Sequence, residues 1–262
     1  MSMLKMLFIG DIAGKVGLIT VKRQLPRLVA NREIDFVVAN GENMAGGVGI
    51  TRDLTQELFS LGVHVVTTGN HVWRQRELKD YIDAEPRLLR PLNFTRGQPG
   101  AGYGLFKTVA GVPVGVVNLI GQVFMDPADN PFVAVDEALK DLREAKIILV
   151  DIHAEATSEK RAMGFHLDGR VTAVLGTHTH VQTADDQILK GGTAYITDVG
   201  MTGPHDSVIG MRTELVLERF KTGMPQSFKP AKSGARFQAV EIIADPSTGH
   251  AVEIERIDIP AS

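Results

Sequence analysis

The chain contains no cysteine in its 262 residues, and this absence excludes disulfides, iron–sulfur clusters and thiolate zinc sites. Any metal must therefore be held by nitrogen and oxygen atoms. Charge of one sign is also scarce, since the net charge is −3 and no long acidic or basic run occurs. The sequence thus lacks the electrostatic pattern that binds a nucleic-acid backbone or an anionic membrane, although short oligonucleotides are still candidate substrates.

Neither a targeting segment nor a membrane span is expected. The apolar start of the chain ends at Asp11, which does not match the architecture of a signal peptide. The uncharged stretch 108–125 is interrupted by Pro113, Asn118 and Gln122, so a turn and a strand are predicted there. Hydrophobic residues make up 44% of the chain, enough for a sizeable core. We expect a soluble, cytoplasmic protein without a membrane partner.

Short apolar runs alternate with helical patterns, which predicts an α/β fold in a single domain over residues 1–262. Single strands are predicted over 5–9, 35–39, 63–67, 147–152, 171–175 and 193–197. Antiparallel hairpins are predicted from 104–109 with 113–119 and from 236–243 with 251–257. Helices are predicted over 18–29, after an N-cap at Thr51, over 72–82 and after the pair Asn130–Pro131. The glycine- and proline-rich stretch 93–104 is predicted to be a surface loop.

The stretch IGDIAGKVG near the N-terminus looks like a phosphate-binding P-loop but does not satisfy the pattern. Only three residues separate Gly10 from Gly14, where a P-loop has four. Val16 stands where that loop needs a hydroxyl for magnesium. The role of Asp11 therefore depends on the residues that the rest of the chain brings near it.

Polar residues able to bind a metal follow five predicted strands, at the point where each strand ends. These residues are Asp11, Glu42 with Asn43, Asn70 with His71, His153, and His178 with His180. In open α/β sheets ligands bind beyond the carboxyl ends of the strands, so these side chains should meet in one crevice. Glycines shortly before four of these positions suit tight turns with the backbone close to an ion.

Each of these residues alone is more often a turn or cap residue than a ligand. Together they favour a metal site, because unrelated turn residues would not select this set at five strand ends. His178 and His180 are two apart, so an extended backbone would point both side chains to one side. Imidazoles, carboxylates and amide oxygens suit manganese, iron or zinc. Seven donors exceed the needs of one hydrolytic ion, so two ions are expected.

Other polar residues have a structural interpretation. His64 is interpreted as a satisfied strand residue, and Trp73 as a core residue on a helix face rather than a platform for a base. Asp151, which lies on the opposite strand face from the neighbours of His153, is interpreted as structural. Lys15 and Arg74 are interpreted as solvated surface charges, with phosphate binding as the alternative.

The series GD, GEN, GNH, H and GTHTH resembles a variant of the calcineurin-like metallophosphoesterase signature. The segments FIGDIAGKVG, VVANGENMAGG, TTGNHVW, DIHAEATSEKRAMG, LGTHTHVQTAD and TDVGMTGPHDSVIG resemble, more closely, those of the YmdB-like phosphodiesterases. The resemblance extends over nearly the whole chain. It implies a four-layer α/β/β/α sandwich and two divalent metal ions, iron or manganese. It also implies hydrolysis of phosphodiesters, with 2′,3′-cyclic nucleotides among them.

Carried over position by position, the resemblance assigns a role to each candidate. It implies that one ion binds Asp11, Asn43 and His180, that the other binds Asn70, His153 and His178, that Glu42 bridges both ions, and that His71 is catalytic. The chain departs from the wider superfamily at Ala13, where a histidine is usual, at Glu42, where an aspartate is usual, and at Val72, where an acid is common. The YmdB-like proteins share these departures.

The implied chemistry is attack of a hydroxide, shared by the two ions, on phosphorus, with His71 protonating the leaving oxygen. The expected partner is a small nucleotide or phosphodiester substrate, with RNA ends as a further candidate, and a homo-oligomer is expected. Two alternatives stay open at this point. One is a phosphomonoesterase or nucleotidase on the same site, and the other is a regulatory metal-binding protein.

Overall fold

The expected alternation of strands and helices is present in the structure, a computed structural model that describes residues 2–261. The strands are β1 (Leu4–Ile9), β2 (Asp11–Ile12), β3 (Phe36–Asn40), β4 (Val65–Thr67), β5 (Tyr103–Lys107), β6 (Pro113–Ile120), β7 (Ile147–His153), β8 (Ala173–Thr177), β9 (Gln187–Ile188), β10 (Ala194–Ile196), β11 (Met201–Pro204), β12 (Ala235–Ala244) and β13 (Ala251–Pro260). The α-helices are α1 (Gly14–Arg32), α2 (Arg52–Ser60), α3 (Leu78–Tyr81), α4 (Pro131–Asp141), α5 (Thr157–Leu167) and α6 (Thr213–Thr222). The fold is a mixed α/β fold.

The strands form two sheets. The first has seven strands in the order β2-β11-β12-β1-β3-β4, with β13 also paired to β12. The second has six strands in the order β5-β6-β7-β8-β10-β9. Within them, β1, β3 and β4 run parallel, as do β6, β7, β8 and β10. Parallel neighbours end at the same edge, and this topology places the candidate residues together.

The buried side chains divide into three clusters. One cluster joins the two sheets, with Phe8 of β1 and Leu149 of β7 among its members. A second contains the other face of the first sheet with α1 and α2, for example Ile9 and Leu25. A third contains the other face of the second sheet with α4 and α5, for example Val150. Alternate residues of the central strands thus pack in opposite directions, as a pleated strand requires.

Several local predictions are confirmed. Both hairpins are present and antiparallel, β5 with β6 and β12 with β13. Thr51 caps α2, because its hydroxyl accepts a hydrogen bond from Leu54 N at 3.3 Å. Asn130 caps α4 in the same way, with its Oδ1 2.9 Å from Phe132 N. Polar N-caps of this kind satisfy amide groups that the helix leaves unpaired.

The predicted helix over 72–82 is wrong. The segment contains a 3₁₀ turn (Val72–Arg74), the short helix α3 and a second 3₁₀ turn (Ile82–Ala84). Gln75 breaks the helical path with an extended backbone, and its side chain donates to Val48 O at 2.9 Å. Long-range contacts of this kind override local helical periodicity.

The segment predicted as a surface loop over 93–104 is anchored at its start. Asn93 and Phe94 are buried, and Asn93 Nδ2 donates to Ile120 O and Asp129 O, both at 2.8 Å. Within residues 2–261, no helix combines the length and the apolar character that crossing a membrane requires.

His64 fits its structural interpretation. Val37 N donates to His64 Nδ1 at 3.0 Å, and the ring stacks on Phe36 with 4.7 Å between the ring centroids. Burial, followed by the positive charge of Arg87, lowers the pKa of His64 below its ordinary value of 6.5. The folded protein therefore favours the neutral ring, which is the form that accepts the hydrogen bond.

We expect His64 to make the fold less stable in mild acid. As the pH falls below 6.5, the unfolded chain binds a proton at His64 before the folded protein does, so the free energy of unfolding decreases. Between about pH 7.5 and pH 5.5 the wild type should lose more stability in urea melts than His64→Gln. His250→Gln provides the control for loss of a histidine, since His250 is exposed. Equal losses in all three proteins would contradict this role.

Candidate metal centre

All eight candidate residues lie in one connected cluster at the shared rim of the two sheets. Asp11, Glu42, Asn43 and His153 are buried, and Asn70, His71, His178 and His180 are partly exposed. Asp11 starts β2, His153 ends β7, and the others lie in turns that follow β3, β4 and β8. The predicted convergence of strand ends is therefore present, while the role of each residue is still a prediction.

His153 is the centre of the first group of candidate ligands. Its Nε2 lies 3.2 Å from Asn70 Oδ1, 3.0 Å from His178 Nδ1 and 3.1 Å from Glu42 Oε1. Each of these atoms would present a lone pair once the histidines are neutral at these nitrogens, which is the form that binds a metal. Lone pairs that converge in this way suit a bound cation.

The second group contains Asp11, Asn43 and His180. His180 Nε2 lies 3.7 Å from Asp11 Oδ1 and 3.1 Å from Asn43 Nδ2. The side-chain amide of Asn43 therefore presents its nitrogen to this group, and its Oδ1 accepts from His71 Nδ1 at 2.9 Å. Ligation through oxygen would require the amide to rotate. The two ends of an amide are assigned from the hydrogen-bond network.

Glu42 lies between the two groups. Its Oε1 is 3.1 Å from His153 Nε2 on one side and 3.4 Å from Asn43 Nδ2 on the other. Its Oε2 accepts from the backbone nitrogen of His71 at 3.2 Å. A carboxylate that contacts both groups has the location that a bridging ligand needs.

A buried network behind His153 orients its ring. The Thr177 hydroxyl donates to Asp151 Oδ1 at 2.7 Å, and it lies 2.8 Å from His153 Nδ1. A hydroxyl has one proton, so Thr177 accepts from Nδ1–H, and Nε2 is the His153 nitrogen that faces the cluster. Asp151 is thus structural, as interpreted from the sequence, but it also supports the site. Strand alternation could have indicated this, because residues two apart share a face.

The backbone around the two downstream histidines differs from the prediction. His178 and His180 follow β8 and adopt left-handed conformations, with φ of 97° and 63°, so the predicted extended backbone is wrong. Such strain costs roughly 1–3 kcal/mol for each residue and is typical of functional sites. His180 Nδ1 lies 2.9 Å from Ile209 O, which leaves Nε2 directed at Asp11. A backbone oxygen such as Ile209 O gives no signal in the sequence.

Two of the glycines that precede candidate residues lie very close to neighbouring atoms. A Cβ atom at Gly69 would lie 2.2 Å from Glu42 Oε2 and 2.3 Å from His153 Nε2. At Gly10 it would lie 2.1 Å from Gly200 O. No side chain can be added at either position without displacement of the site.

The charges in the cluster are strongly coupled. Burial raises the pKa of Asp11, but the hydrogen bond and charge of His180 outweigh burial and hold this pKa below its usual range. Burial lowers the pKa of His180, yet Asp11 raises it to about 9. Burial and then the charge of His153 lower the pKa of His178 to about 3. The carboxylates thus stay ionised and draw positive charge toward them, which is the condition under which cations bind.

The donor set fits divalent metal ions. One oxygen of Asp11, Oδ1, is buried and has no hydrogen-bond partner in residues 2–261. Ligand atoms of Glu42, His153 and His178 all lie within 4.8 Å of one another. Nitrogen and oxygen donors of this type suit iron, manganese and zinc. A cation would satisfy both the unpaired oxygen and the converging lone pairs.

His71 differs from the candidate ligands in its exposure and in its predicted role. Its Nδ1 faces Asn43 Oδ1 at 2.9 Å, so this nitrogen carries the proton and Nε2 is the other end of the ring. Its side chain is 26% exposed, in contrast to the buried Glu42. Burial lowers the pKa of His71, and the charge of Glu42 only partly offsets this effect. Lys15 and Arg74 are exposed, in agreement with surface charges.

Comparison with known proteins supports the family resemblance. The family model for YmdB-like proteins matches residues 7–257. The chain belongs to the YmdB-like protein family. It is 46% identical over 255 residues to a 2′,3′-cyclic-nucleotide 2′-phosphodiesterase of Bacillus subtilis, with 97% of this chain and 96% of that protein covered. This membership also makes the chain an enzyme.

Two solved structures share the whole fold. A hypothetical protein of Thermus thermophilus superposes with a TM-score of 0.93 at 43% identity, covering 99% of this chain and 100% of that one. A Mycoplasma pneumoniae protein described as a novel phosphatase superposes with a TM-score of 0.94 at 35% identity, covering 99% and 94%. The fold is thus shared with both of these proteins.

We expect Gly69→Ala to abolish cation binding without unfolding the protein. The added methyl must displace Glu42 or His153, because it would lie within 2.3 Å of both side chains. Metal analysis after incubation with Mn²⁺ should show less metal than in the wild type, with an unchanged far-UV circular dichroism spectrum. Gly111→Ala is the control, since its methyl would meet no atom within 4 Å although φ is +83°. Full metal content in Gly69→Ala would contradict the expectation that the added methyl displaces Glu42 or His153 from the site.

Proposed function

We propose that this enzyme is a metal-dependent phosphodiesterase with a two-cation centre, iron and manganese being the expected metals. One observation carries the proposal: Asn70 Oδ1, Glu42 Oε1 and His178 Nδ1 converge on His153 Nε2 at 3.0–3.2 Å. The name of the Bacillus subtilis relative supports the same chemistry. We propose that His153, His178 and Asn70 hold one ion, that Asp11, Asn43 and His180 hold the other, and that Glu42 bridges them.

Bound divalent ions would supply positive charge for the phosphate oxygens and would lower the pKa of a water molecule toward ~7. The protein's own residues do the remaining work. Glu42 keeps its charge between the two groups, and the Asp151–Thr177 pair fixes the His153 ring. The buried rim excludes bulk water from the carboxylates, which strengthens each electrostatic interaction there.

His71 is the proposed proton donor. Its Nδ1 lies beside the Asn43 amide, which leaves Nε2 to serve the substrate whichever end of that amide faces the ring. Its ring is more exposed than the buried ligands, as a group that meets substrate must be. A 2′,3′-cyclic nucleotide would lose the bond from phosphorus to the 2′ oxygen, and water would supply the new oxygen. The doubly protonated ring of His71 would give its Nε2 proton to the departing 2′ oxygen. The product would be a nucleoside 3′-monophosphate.

The finer architecture is part of the proposal. Three buried clusters, one between the sheets and one on the outer face of each, support a four-layer α/β/β/α sandwich. We also propose that the chain forms one domain that acts in the cytoplasm as a homo-oligomer. RNA ends that carry a cyclic phosphate would present the same reacting group as a cyclic nucleotide.

A phosphomonoesterase on the same site is the second candidate. It is favoured by the Mycoplasma pneumoniae relative, which is described as a phosphatase. The deciding experiment compares 2′,3′-cyclic nucleotides, linear dinucleotides and nucleotide monoesters, each with and without a chelator. We expect chelator-sensitive hydrolysis of the cyclic nucleotides. Activity on monoesters alone would favour the second candidate, and activity that survives complete metal removal would exclude both mechanisms.

We expect His71→Ala to keep the metals and lose turnover. Loss of a general acid typically costs roughly 10²–10⁴-fold. The loss should be large on a 2′,3′-cyclic nucleotide, whose ribose oxygen leaves poorly, and small on bis-(4-nitrophenyl) phosphate, whose nitrophenolate leaves without protonation. Steady-state rates and metal content measured on the same preparation test this. Lost metal would make His71 a ligand, and equal rate losses on both substrates would indicate a role in phosphate positioning.

A further inference from the structure

A second charged pair lies behind the metal centre, and no role assigned so far uses it. Lys160 of α5 and Asp198, which follows β10, are both 0% exposed, and their Nζ and Oδ2 atoms are 2.8 Å apart. Removal of two charges from water is costly, and a buried ion pair is weak evidence for stability alone. Stability alone therefore does not explain why this charged pair is buried.

Asp198 holds two backbone segments of the site. Its Oδ2 accepts from Thr179 N at 3.0 Å and from Thr179 Oγ1 at 2.6 Å, in addition to Lys160. Its Oδ1 accepts from Gly200 N at 2.8 Å. Four hydrogen-bond donors thus contact the carboxylate of Asp198 and fix its orientation.

Both segments lead directly to candidate ligands. Thr179 lies between His178 and His180, the two residues with left-handed backbones. Gly200 O accepts from Asp11 N at 3.0 Å. A single carboxylate therefore fixes the segments that carry or contact three of the seven candidate ligands.

The packing around the pair leaves no room for another arrangement. A Cβ atom at Gly176 of β8 would lie 2.9 Å from Lys160 Cδ and 1.8 Å from Thr197 O. The aliphatic part of the Lys160 side chain thus lies against β8, the strand that precedes His178 and His180.

We propose that the Lys160–Asp198 pair positions the metal centre: through Thr179 and Gly200 it holds His178, His180 and Asp11 in the arrangement that binds the cations. The pair contacts no substrate and acts only through these residues. This inference rests on the proposed function for the identity of the ligand, a divalent cation. Partners that orient metal ligands typically contribute about 10–100-fold to metal affinity.

The sharpest test changes one hydroxyl. Thr179→Val removes the 2.6 Å hydrogen bond to Asp198 and keeps the shape of the side chain, whereas Thr179→Ser keeps the hydroxyl. Titration of metal-free protein with Mn²⁺, followed by the electron paramagnetic resonance signal of free Mn²⁺, gives the Kd. We expect Kd to rise about 10–100-fold in Thr179→Val. Thr179→Ser should bind Mn²⁺ like the wild type.

A matched control separates positioning from stability. Thr55 is buried in α2, away from the site, and its hydroxyl donates to Thr51 O at 2.8 Å. Thr55→Val should lower the melting temperature and leave the Kd for Mn²⁺ unchanged. Lys160→Met, which keeps the length of the side chain, should raise the Kd as Thr179→Val does.

Histidine ring signals in the nuclear magnetic resonance spectrum of metal-free protein provide a readout that needs no metal. The signals of His178 and His180 should shift in Thr179→Val and return to their wild-type positions in Thr179→Ser. Wild-type affinity and unshifted histidine signals in Thr179→Val would overturn the inference. A wild-type protein that binds neither Mn²⁺ nor Fe²⁺ would instead overturn the proposed function, while the histidine signals would still test the positioning.

Discussion

Two carboxylates buried at one rim, those of Asp11 and Glu42, set the constraint on which the rest of the site depends. Both are at most 1% exposed, and Asp11 Oδ1 has no hydrogen-bond partner in the described chain. An ionised carboxylate removed from water costs several kcal/mol unless positive charge compensates it. Protonated His153 and His180 supply that charge when no metal is bound, and bound cations would replace those protons, because a ligating histidine must be neutral. The fold therefore has to bring histidines from distant strands to this point.

Parallel strands bring these side chains to one rim, and glycines allow the backbone to approach them closely. β1, β3 and β4 end at the same rim as β7 and β8, so side chains from both sheets meet there without long loops. At Gly10 and Gly69 the backbone passes so near to its neighbours that a methyl group would overlap them. Glycine is common in turns, but at these two positions its main effect is that no side chain occupies the space beside the candidate ligands.

The convergence of the candidate residues was more predictable than the local structure around them. Asp11, Glu42, His153 and the other candidates could be found because their residue types follow apolar strands, and topology then brings strand ends together. The backbone conformation of the turn that contains His178 and His180 could not be predicted, since nothing in the sequence around His178 indicates a left-handed φ. The broken helix after His71 was missed for a related reason. Trp73 and Gln75 bind distant partners, Gln98 and Val48, that interrupt it.

The helix α5 was missed because its buried face is not apolar. Glu159 and Lys160 occupy buried positions of that face, so the hydrophobic period of a core-facing helix is broken there. Each has a specific partner: Glu159 accepts from Gln122 N at 2.9 Å, and Lys160 pairs with Asp198. Polar residues that break a pattern are costly, and proteins retain them chiefly where they serve a site. At Lys160 the failure of the pattern in α5 thus points to a residue that supports the turn of His178 and His180 through Asp198.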